Sequence, residues 1–184
     1  MVQNGTDRID EHVRKGKYMP DMLVNLLNIN HDDPVYEKME KQGIAIRRAM
    51  APDKFRILEW VKKHSSINAA GECDVCFSHT PISCFVAARG YEILGYACYN
   101  ATAPDFFGPT RVLESERGKS IGKALLVRSL RAMRDEGYVY AIIGGVGPAD
   151  FYTKCVGAML IENSTPGVYK DFLGGLEKKS SGLK

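Results

Sequence analysis

A short segment in the second half of the chain has the residue types that bind phosphate groups. It reads ERGKSIGKALL, from Glu116 to Leu126, and it follows a predicted strand at residues 106–114. The pattern from Ser120 onward predicts an amphipathic helix, whose first N–H groups lack intrahelical partners and whose dipole is positive at this end. Three cations lie around the same point: Arg117, Lys119 and Lys123. These features predict a site for a phosphate or a pyrophosphate.

Gly118, Lys119 and Ser120 could also end a nucleoside-triphosphate loop of the form GxxxxGK followed by Ser or Thr. That loop requires a glycine five residues before Gly118, where this chain has Leu113 inside the predicted strand. The chain after Gly122 is also too short for the further βα units of such a fold. Gly118 and Gly122 instead leave room for a ligand against the backbone or for close packing of the helix. The spacing therefore disfavours a triphosphate and favours another anionic ligand.

The five cysteines include one pair, Cys73 and Cys76, at the CxxC spacing of a zinc site or a redox motif. No second CxxC or HxxxH pair follows that could complete a tetrahedral shell, so the sequence predicts no metal site. An odd number of cysteines spread through apolar segments is typical of reduced thiols in a cytosolic protein.

Composition sets limits on the class of protein. The 184 residues carry a formal charge of +3, which suits an anionic ligand. Basic residues do not alternate with aromatic ones, so nucleic acid is not an expected partner. No apolar run is long enough to span a membrane, and the N-terminus lacks the apolar centre of a secretory signal. We therefore expect a soluble protein of the cytoplasm without a membrane partner.

The periodicity of apolar residues predicts the elements that position this segment. Their order is strand, helix, hairpin, strand, helix, strand, helix, strand, which indicates an α/β or α+β layered domain at residues 43–173. A polar arm at residues 1–42 precedes it, with a helix predicted to begin at Pro20–Asp21, and a polar glycine-rich tail at residues 174–184 follows it.

The segment VLESERGKSIGKALL resembles the acetyl-CoA signature of the GCN5-related N-acetyltransferases, the GNAT superfamily. That signature is Arg/Gln-x-x-Gly-x-Gly/Ala between a strand and a helix, and Ser120 stands where the family usually has glycine. The resemblance extends over residues 44–173 and implies a mixed, mostly antiparallel central sheet flanked by helices, with the helical arm at its N-terminus. It implies these acetyl-CoA-binding residues: Val112, Leu113, Arg117, Gly118, Lys119, Ser120, Ile121, Gly122 and Lys123.

The resemblance also implies a reaction, in which acetyl-CoA is the cosubstrate, no metal takes part, and a primary amine attacks the thioester directly in a ternary complex. The backbone N–H of Val112 or Leu113 would polarise the thioester carbonyl. Tyr152, in ADFYTKCVGA, would be the general acid, although an aromatic residue between a helix and a sheet can also be structural. Gly145 stands where many relatives carry an asparagine that contacts CoA.

Several points stay open at this stage. The general base could be Glu72, Asp74, Glu114 or water. The acceptor could be a small molecule or a peptide, and the arm could cover the site or mediate a homodimer. The alternative function is a catalytically silent acyl-CoA-binding sensor or regulatory module, which Ser120 and Gly145 favour and Tyr152 disfavours.

Overall fold

A computed structural model describes residues 19–30, 32–170 and 173. Seven strands in these residues form a single sheet in the order β2-β3-β4-β5-β6-β1-β7. The strands are β1 (Met22–Asn25), β2 (Ala45–Arg48), β3 (Cys84–Arg89), β4 (Glu92–Tyr99), β5 (Phe106–Val112), β6 (Tyr140–Ile143) and β7 (Met159–Leu160). Neighbouring strands are antiparallel except for β5 and β6, which are parallel. The prediction of a mixed, mostly antiparallel sheet is confirmed.

Five α-helices flank this sheet among the described residues. They are α1 (Val35–Lys41), α2 (Lys54–His64), α3 (Ile67–Val75), α4 (Ile121–Asp135) and α5 (Ala149–Val156). No helix in the described part of the chain has both the length and the apolar character needed to cross a bilayer.

Strand β3 shows how the sheet separates two cores. Phe85 and Ala87 face one core, which also contains the buried face of α4, whereas Cys84 and Val86 face a second core beneath α2 and α3. Alternate residues of a strand point to opposite faces, and here both faces are covered. The strand therefore has five consecutive buried residues instead of alternating buried and exposed positions.

The helix predicted to begin at Pro20–Asp21 is wrong, because Met22–Asn25 form strand β1 in the interior of the sheet. This strand pairs with β6 on one side and with β7 on the other. Its exposure alternates, with Met22 and Val24 buried. The apolar spacing of this segment fits a helix as well as a strand, and pairing with β6 decides between them.

The predicted arm and tail extend beyond the described residues. Residues 1–18 of the predicted arm and the predicted tail at 174–184 lie outside the described residues. The division at residues 42 and 43 therefore stays a prediction, although β1 and α1 both pack within the same core as the downstream chain.

Candidate active site

The loop between β5 and α4 carries the residues of the predicted anion site. The chain leaves β5 at Val112, forms a short 3-10 turn at Glu114–Glu116 and enters α4 at Ile121. Gly118 and Ser120 have left-handed φ angles of 78° and 71°. Glycine adopts this conformation readily and serine does so at a steric cost. The loop geometry thus explains why a glycine is the usual residue at the position of Ser120.

The first turn of α4 presents backbone donors toward this loop. The first helical hydrogen bond runs from the N–H of Ala124 to the carbonyl of Ser120, at 3.0 Å. The N–H groups of Ile121, Gly122 and Lys123 therefore precede the helical ladder and have no acceptor one turn back. The positive end of the helix dipole lies at the same point. The N-terminus of α4 is therefore suited to bind an anionic group.

Glu116 lies between two of the basic side chains. Its Oε2 atom is 3.0 Å from Nη2 of Arg89 and 3.0 Å from Nζ of Lys119. The hydrogen bond from Arg89, followed by that from Lys119, lowers the pKa of the Glu116 carboxyl group. Lys119 is therefore fixed beside the loop through a carboxylate, and Arg89 on β3 adds a cation that the motif does not include.

The other two predicted cations are also paired with carboxylates. Arg117 Nη1 lies 2.6 Å from Glu114 Oε1, and Lys123 Nζ lies 2.9 Å from Asp33 Oδ2. In these ion pairs the cations, with Arg89 included, outnumber the carboxylates by one. These paired charges thus leave only a small net positive charge, and the backbone N–H groups add to the capacity of the loop to bind an anion.

Helix α1 packs its polar side chains against the same loop. Lys38 Nζ donates to Ser120 Oγ at 2.8 Å, and Gln42 Nε2 donates to the Lys119 carbonyl at 3.4 Å. Asp33, which pairs with Lys123, also accepts a hydrogen bond from the N–H of Val35 at the start of this helix. An element close to the N-terminus therefore supports a loop that is distant from it in sequence.

An open strand edge leads from this loop into the sheet. Among the described residues, β5 and β6 pair through Phe106 with Ile142 and Phe107 with Ile143 alone. Beyond this point β5 stays paired with β4, and its other edge has no partner strand as far as Val112. The N–H of Leu113 points to β4, where it donates to the Leu94 carbonyl at 2.9 Å. Hydrogen-bonding direction alternates along a strand, so the N–H of Val112 points to the open edge.

Helix α5 meets the loop at Gly122. A Cβ atom built on Gly122 would lie 3.7 Å from Phe151 Cζ and 3.8 Å from Val112 Cγ2. The rings of Phe151 and Tyr152 are in an edge-to-face contact with centroids 5.1 Å apart. The structure thus brings the end of β5, the start of α4 and the helix of Tyr152 to one place.

Tyr152 itself is a largely buried residue, with 9% of its surface exposed. Burial, and to a smaller extent Cys155, raises the pKa of its phenol. The hydroxyl group therefore keeps its proton across the neutral range, as a proton donor must.

Gly145, two residues after β6, is held by an acid that the sequence patterns did not identify. Its N–H donates to Asp21 Oδ1 at 2.8 Å, and Asp21 is buried with 8% exposure. Asp21 directly precedes β1, the segment that the sequence pattern predicted as a helix. The position of this carboxylate therefore depends on an element that the sequence did not predict. Only the long-range pairing of β1 places this carboxylate at the end of β6, and no local motif indicates it.

Glu72, one of the predicted candidate bases, is connected to this strand end through Tyr169. Its Oε1 atom accepts hydrogen bonds from Thr102 Oγ1 at 2.5 Å and from Tyr169 Oη at 2.8 Å. The Tyr169 ring is 3.6 Å from the position of a Cβ atom on Gly145. Burial, and then the Glu72 carboxylate, raises the pKa of Tyr169 to about 12. These side chains form a polar wall beside the open edge.

The other two candidate carboxylates form ion pairs on the surface. Asp74 Oδ1 lies 2.9 Å from Lys54 Nζ, and Glu114 is paired with Arg117. Both acidic residues are exposed. Within residues 19–30, 32–170 and 173, neither carboxylate has a hydrogen bond or ion pair with the end of β6.

Comparisons with known proteins identify the family of this chain and show which solved structures share its fold. The chain belongs to the acetyltransferase (GNAT) family, because the model of that family matches residues 45–157, more than half of its length. A sequence search of the curated proteins finds no match.

Solved structures share the fold at low sequence identity. The GCN5-related glucosamine N-acetyltransferase region of a fungal multi-domain GH3 β-N-acetylglucosaminidase has a TM-score of 0.65 and 12% identity, over 88% of this chain and 22% of that one. A GCN5-related N-acetyltransferase from Sphaerobacter thermophilus has a TM-score of 0.56 and 16% identity, over 85% and 54%. A GNAT family acetyltransferase from Brucella melitensis, solved with acetyl-CoA, has a TM-score of 0.50 and 17% identity, over 65% and 88%. This chain thus spans less than a quarter of the fungal protein.

Proposed function

We propose that this protein transfers the acetyl group of acetyl-CoA to a primary amine. The observation that carries the proposal is the meeting of three parts at Gly122: a helix start with free donors, an open strand edge and the helix of Tyr152. The phosphates of the cosubstrate bind at the start of α4, and the pantetheine arm lies along the open edge of β5. The leaving sulfur reaches Tyr152 on α5.

The open edge of β5 supplies the first chemical role. The N–H of Val112 is the one that points away from β4, whereas that of Leu113 is used within the sheet. We therefore assign polarisation of the thioester carbonyl to Val112. A fixed N–H donor stabilises the oxyanion that develops when the amine attacks.

Tyr152 supplies the second role. The amine nitrogen forms a bond to the carbonyl carbon, the C–S bond breaks, and the thiolate of CoA takes the phenolic proton. The amine releases its own proton to a base or to water, so the products are the amide and free CoA. A phenol whose pKa is raised by burial stays protonated until the thiolate forms.

The acceptor side is assigned to Glu72. Thr102 and Tyr169 hold its carboxylate beside Gly145, at the end of β6. We propose that this carboxylate attracts and orients the acceptor amine. Asp74 and Glu114 already form ion pairs elsewhere, so they lack this position.

Replacement of Tyr152 tests the catalytic part of the proposal. The full chain is incubated with acetyl-CoA and a panel of primary amines, and release of CoA thiol is measured. We expect Tyr152→Phe to lower kcat by roughly 10²-fold or more, as loss of a general acid does. Acetyl-CoA binding by this variant should stay within a few fold. An unchanged kcat would show that Tyr152 is only structural.

Replacement of Glu72 tests the acceptor side. We expect Glu72→Gln to raise KM for the amine with little effect on KM for acetyl-CoA. Of the two substrates, only the amine is proposed to contact this carboxylate. Asp74→Asn is the matched control, since it changes a nearby acid of the same helix that is paired with Lys54. Equal kinetic effects of the two substitutions would contradict the assignment.

A catalytically silent acyl-CoA sensor is the second candidate. Two observations favour this sensor function. Ser120 has a left-handed backbone, and the cations of the loop are paired with carboxylates. Tight binding of acetyl-CoA with no turnover on any amine would support this alternative. ATP serves as the control ligand in thermal unfolding, and we expect it to give no stabilisation where acetyl-CoA does.

A further inference from the structure

Four of the five cysteines meet in the core beneath α2 and α3. Cys73 and Cys76 are three residues apart on α3 and the turn that follows it, so they share one face. Cys84 on β3 lies directly opposite Cys98 on β4. The sequence has no second CxxC motif. Pairing of β3 with β4 nevertheless brings a second pair of cysteines together.

The sulfur atoms lie close together. The Sγ atoms of Cys73, Cys84 and Cys98 all lie within 4.8 Å of one another, and none of the three side chains is exposed. Cys76 is buried as well, and its thiol lies 3.9 Å from the carbonyl oxygens of Glu72 and Tyr99. Sulfur ligands around one tetrahedral zinc ion are roughly 3.8 Å apart, given a Zn–S distance of about 2.3 Å. Cys73, Cys84 and Cys98 therefore need only a small contraction to reach that spacing, and Cys76 would move toward them from the same face of the helix.

Buried cysteines often act only as small apolar side chains, and four separated thiols would need no other account. Here the Sγ atoms of residues from α3, β3 and β4 converge within 4.8 Å of one another. Such contact between sulfur atoms is typical of a ligand set and is not required for apolar packing.

We propose that Cys73, Cys84 and Cys98, with Cys76 as the fourth ligand, bind one Zn²⁺ ion. Each thiol releases its proton to solvent as its Zn–S bond forms, and no electrons are transferred. The ion would fasten α3 to the β3–β4 hairpin. Because Glu72 precedes Cys73 on α3, the same ion would also fix the wall of the acceptor site.

Metal content of the full chain tests the proposal. The protein is expressed with added Zn²⁺ and purified under reducing conditions, and zinc is measured by mass spectrometry. We expect one zinc per chain. The double variant Cys84→Ala with Cys98→Ala should contain none. Cys155→Ala is the matched control, because Cys155 lies on α5 outside the cluster, and it should keep its zinc.

Wild-type protein provides a second measurement that does not depend on the folding of variants. Zinc is removed with a chelator and Co²⁺ is titrated into the reduced chain. We expect a thiolate-to-cobalt charge-transfer band and tetrahedral d–d bands that saturate at one equivalent and disappear when Zn²⁺ is added. The proposal is overturned if the purified chain lacks stoichiometric zinc and the cobalt titration gives none of these bands. It is also overturned if Cys155→Ala loses its zinc while the double variant keeps it.

Discussion

Ser120 lies in the proposed ligand-binding loop and has a backbone conformation that is sterically unfavourable for serine. Its backbone is left-handed, a conformation that costs a side chain with a Cβ atom about 1 kcal/mol. The hydrogen bond from Lys38 to its Oγ atom offsets part of that cost. The serine therefore holds the loop by a side-chain contact where a glycine would hold it by conformational freedom.

Replacement of Ser120 separates these two effects. Ser120→Gly removes the steric cost, so acetyl-CoA binding should be kept or tightened. Ser120→Ala keeps the Cβ atom and loses the contact with Lys38, so it should bind more weakly than the glycine variant. Dissociation constants from calorimetric titration give the comparison. A large loss of affinity in the glycine variant would mean that the loop does not bind the cosubstrate as proposed.

The position of the motif from Arg117 to Gly122, between β5 and the start of α4, could be predicted because the motif is contiguous. Its electrostatic environment could not be predicted. Arg89, which shares Glu116 with Lys119, belongs to β3, and Asp33 lies far upstream of its partner Lys123. Contacts between residues that are distant in sequence depend on the fold and leave no local pattern.

At the scale of elements, β1 is the case in which local pattern and fold disagree. A helix over this segment would place Leu26 and Leu27 together on one apolar face. In the structure, Leu26 is fully buried and Leu27 is 57% exposed, because the chain turns immediately after the strand. The elements with strong periodicity, such as α4 and the β3–β4 hairpin, were predicted correctly because their pattern fits only one structure.

This adjacent pair of leucines provides a matched test of β1. Leu26→Ala should lower the free energy of unfolding by roughly 2–5 kcal/mol, as expected for a buried leucine. Leu27→Ala should change it by less than about 0.5 kcal/mol, as expected at the surface. Urea unfolding of both variants measures the difference. Similar losses for both would support the helix and contradict the strand.

At the scale of the whole molecule, buried phenols link stability to pH. Burial raises the pKa of five tyrosines above its ordinary value: Tyr36, Tyr96, Tyr99, Tyr152 and Tyr169. These groups stay protonated in the folded protein, while the unfolded chain loses the same protons above about pH 10. Their contribution to stability is therefore complete below that pH and decreases above it.

We expect the midpoint of urea unfolding to fall progressively from about pH 10 upward, because proton release then favours the unfolded chain. Below about pH 11, the part of the tyrosinate absorbance that comes from these five phenols should rise together with loss of structure, since burial keeps them protonated in the folded protein. The measurement uses reduced protein at a series of pH values. A midpoint that stays constant between about pH 9 and pH 11 would contradict this linkage.

The place of β1 between β6 and β7 also has a consequence for synthesis of the chain. During translation this strand leaves the ribosome well before β6 and β7, the two strands that hydrogen-bond to it. Until they emerge, its backbone groups and apolar side chains have no native partners. An unpaired strand of this kind is prone to aggregation, and the sheet can be completed only after β7 has been synthesised.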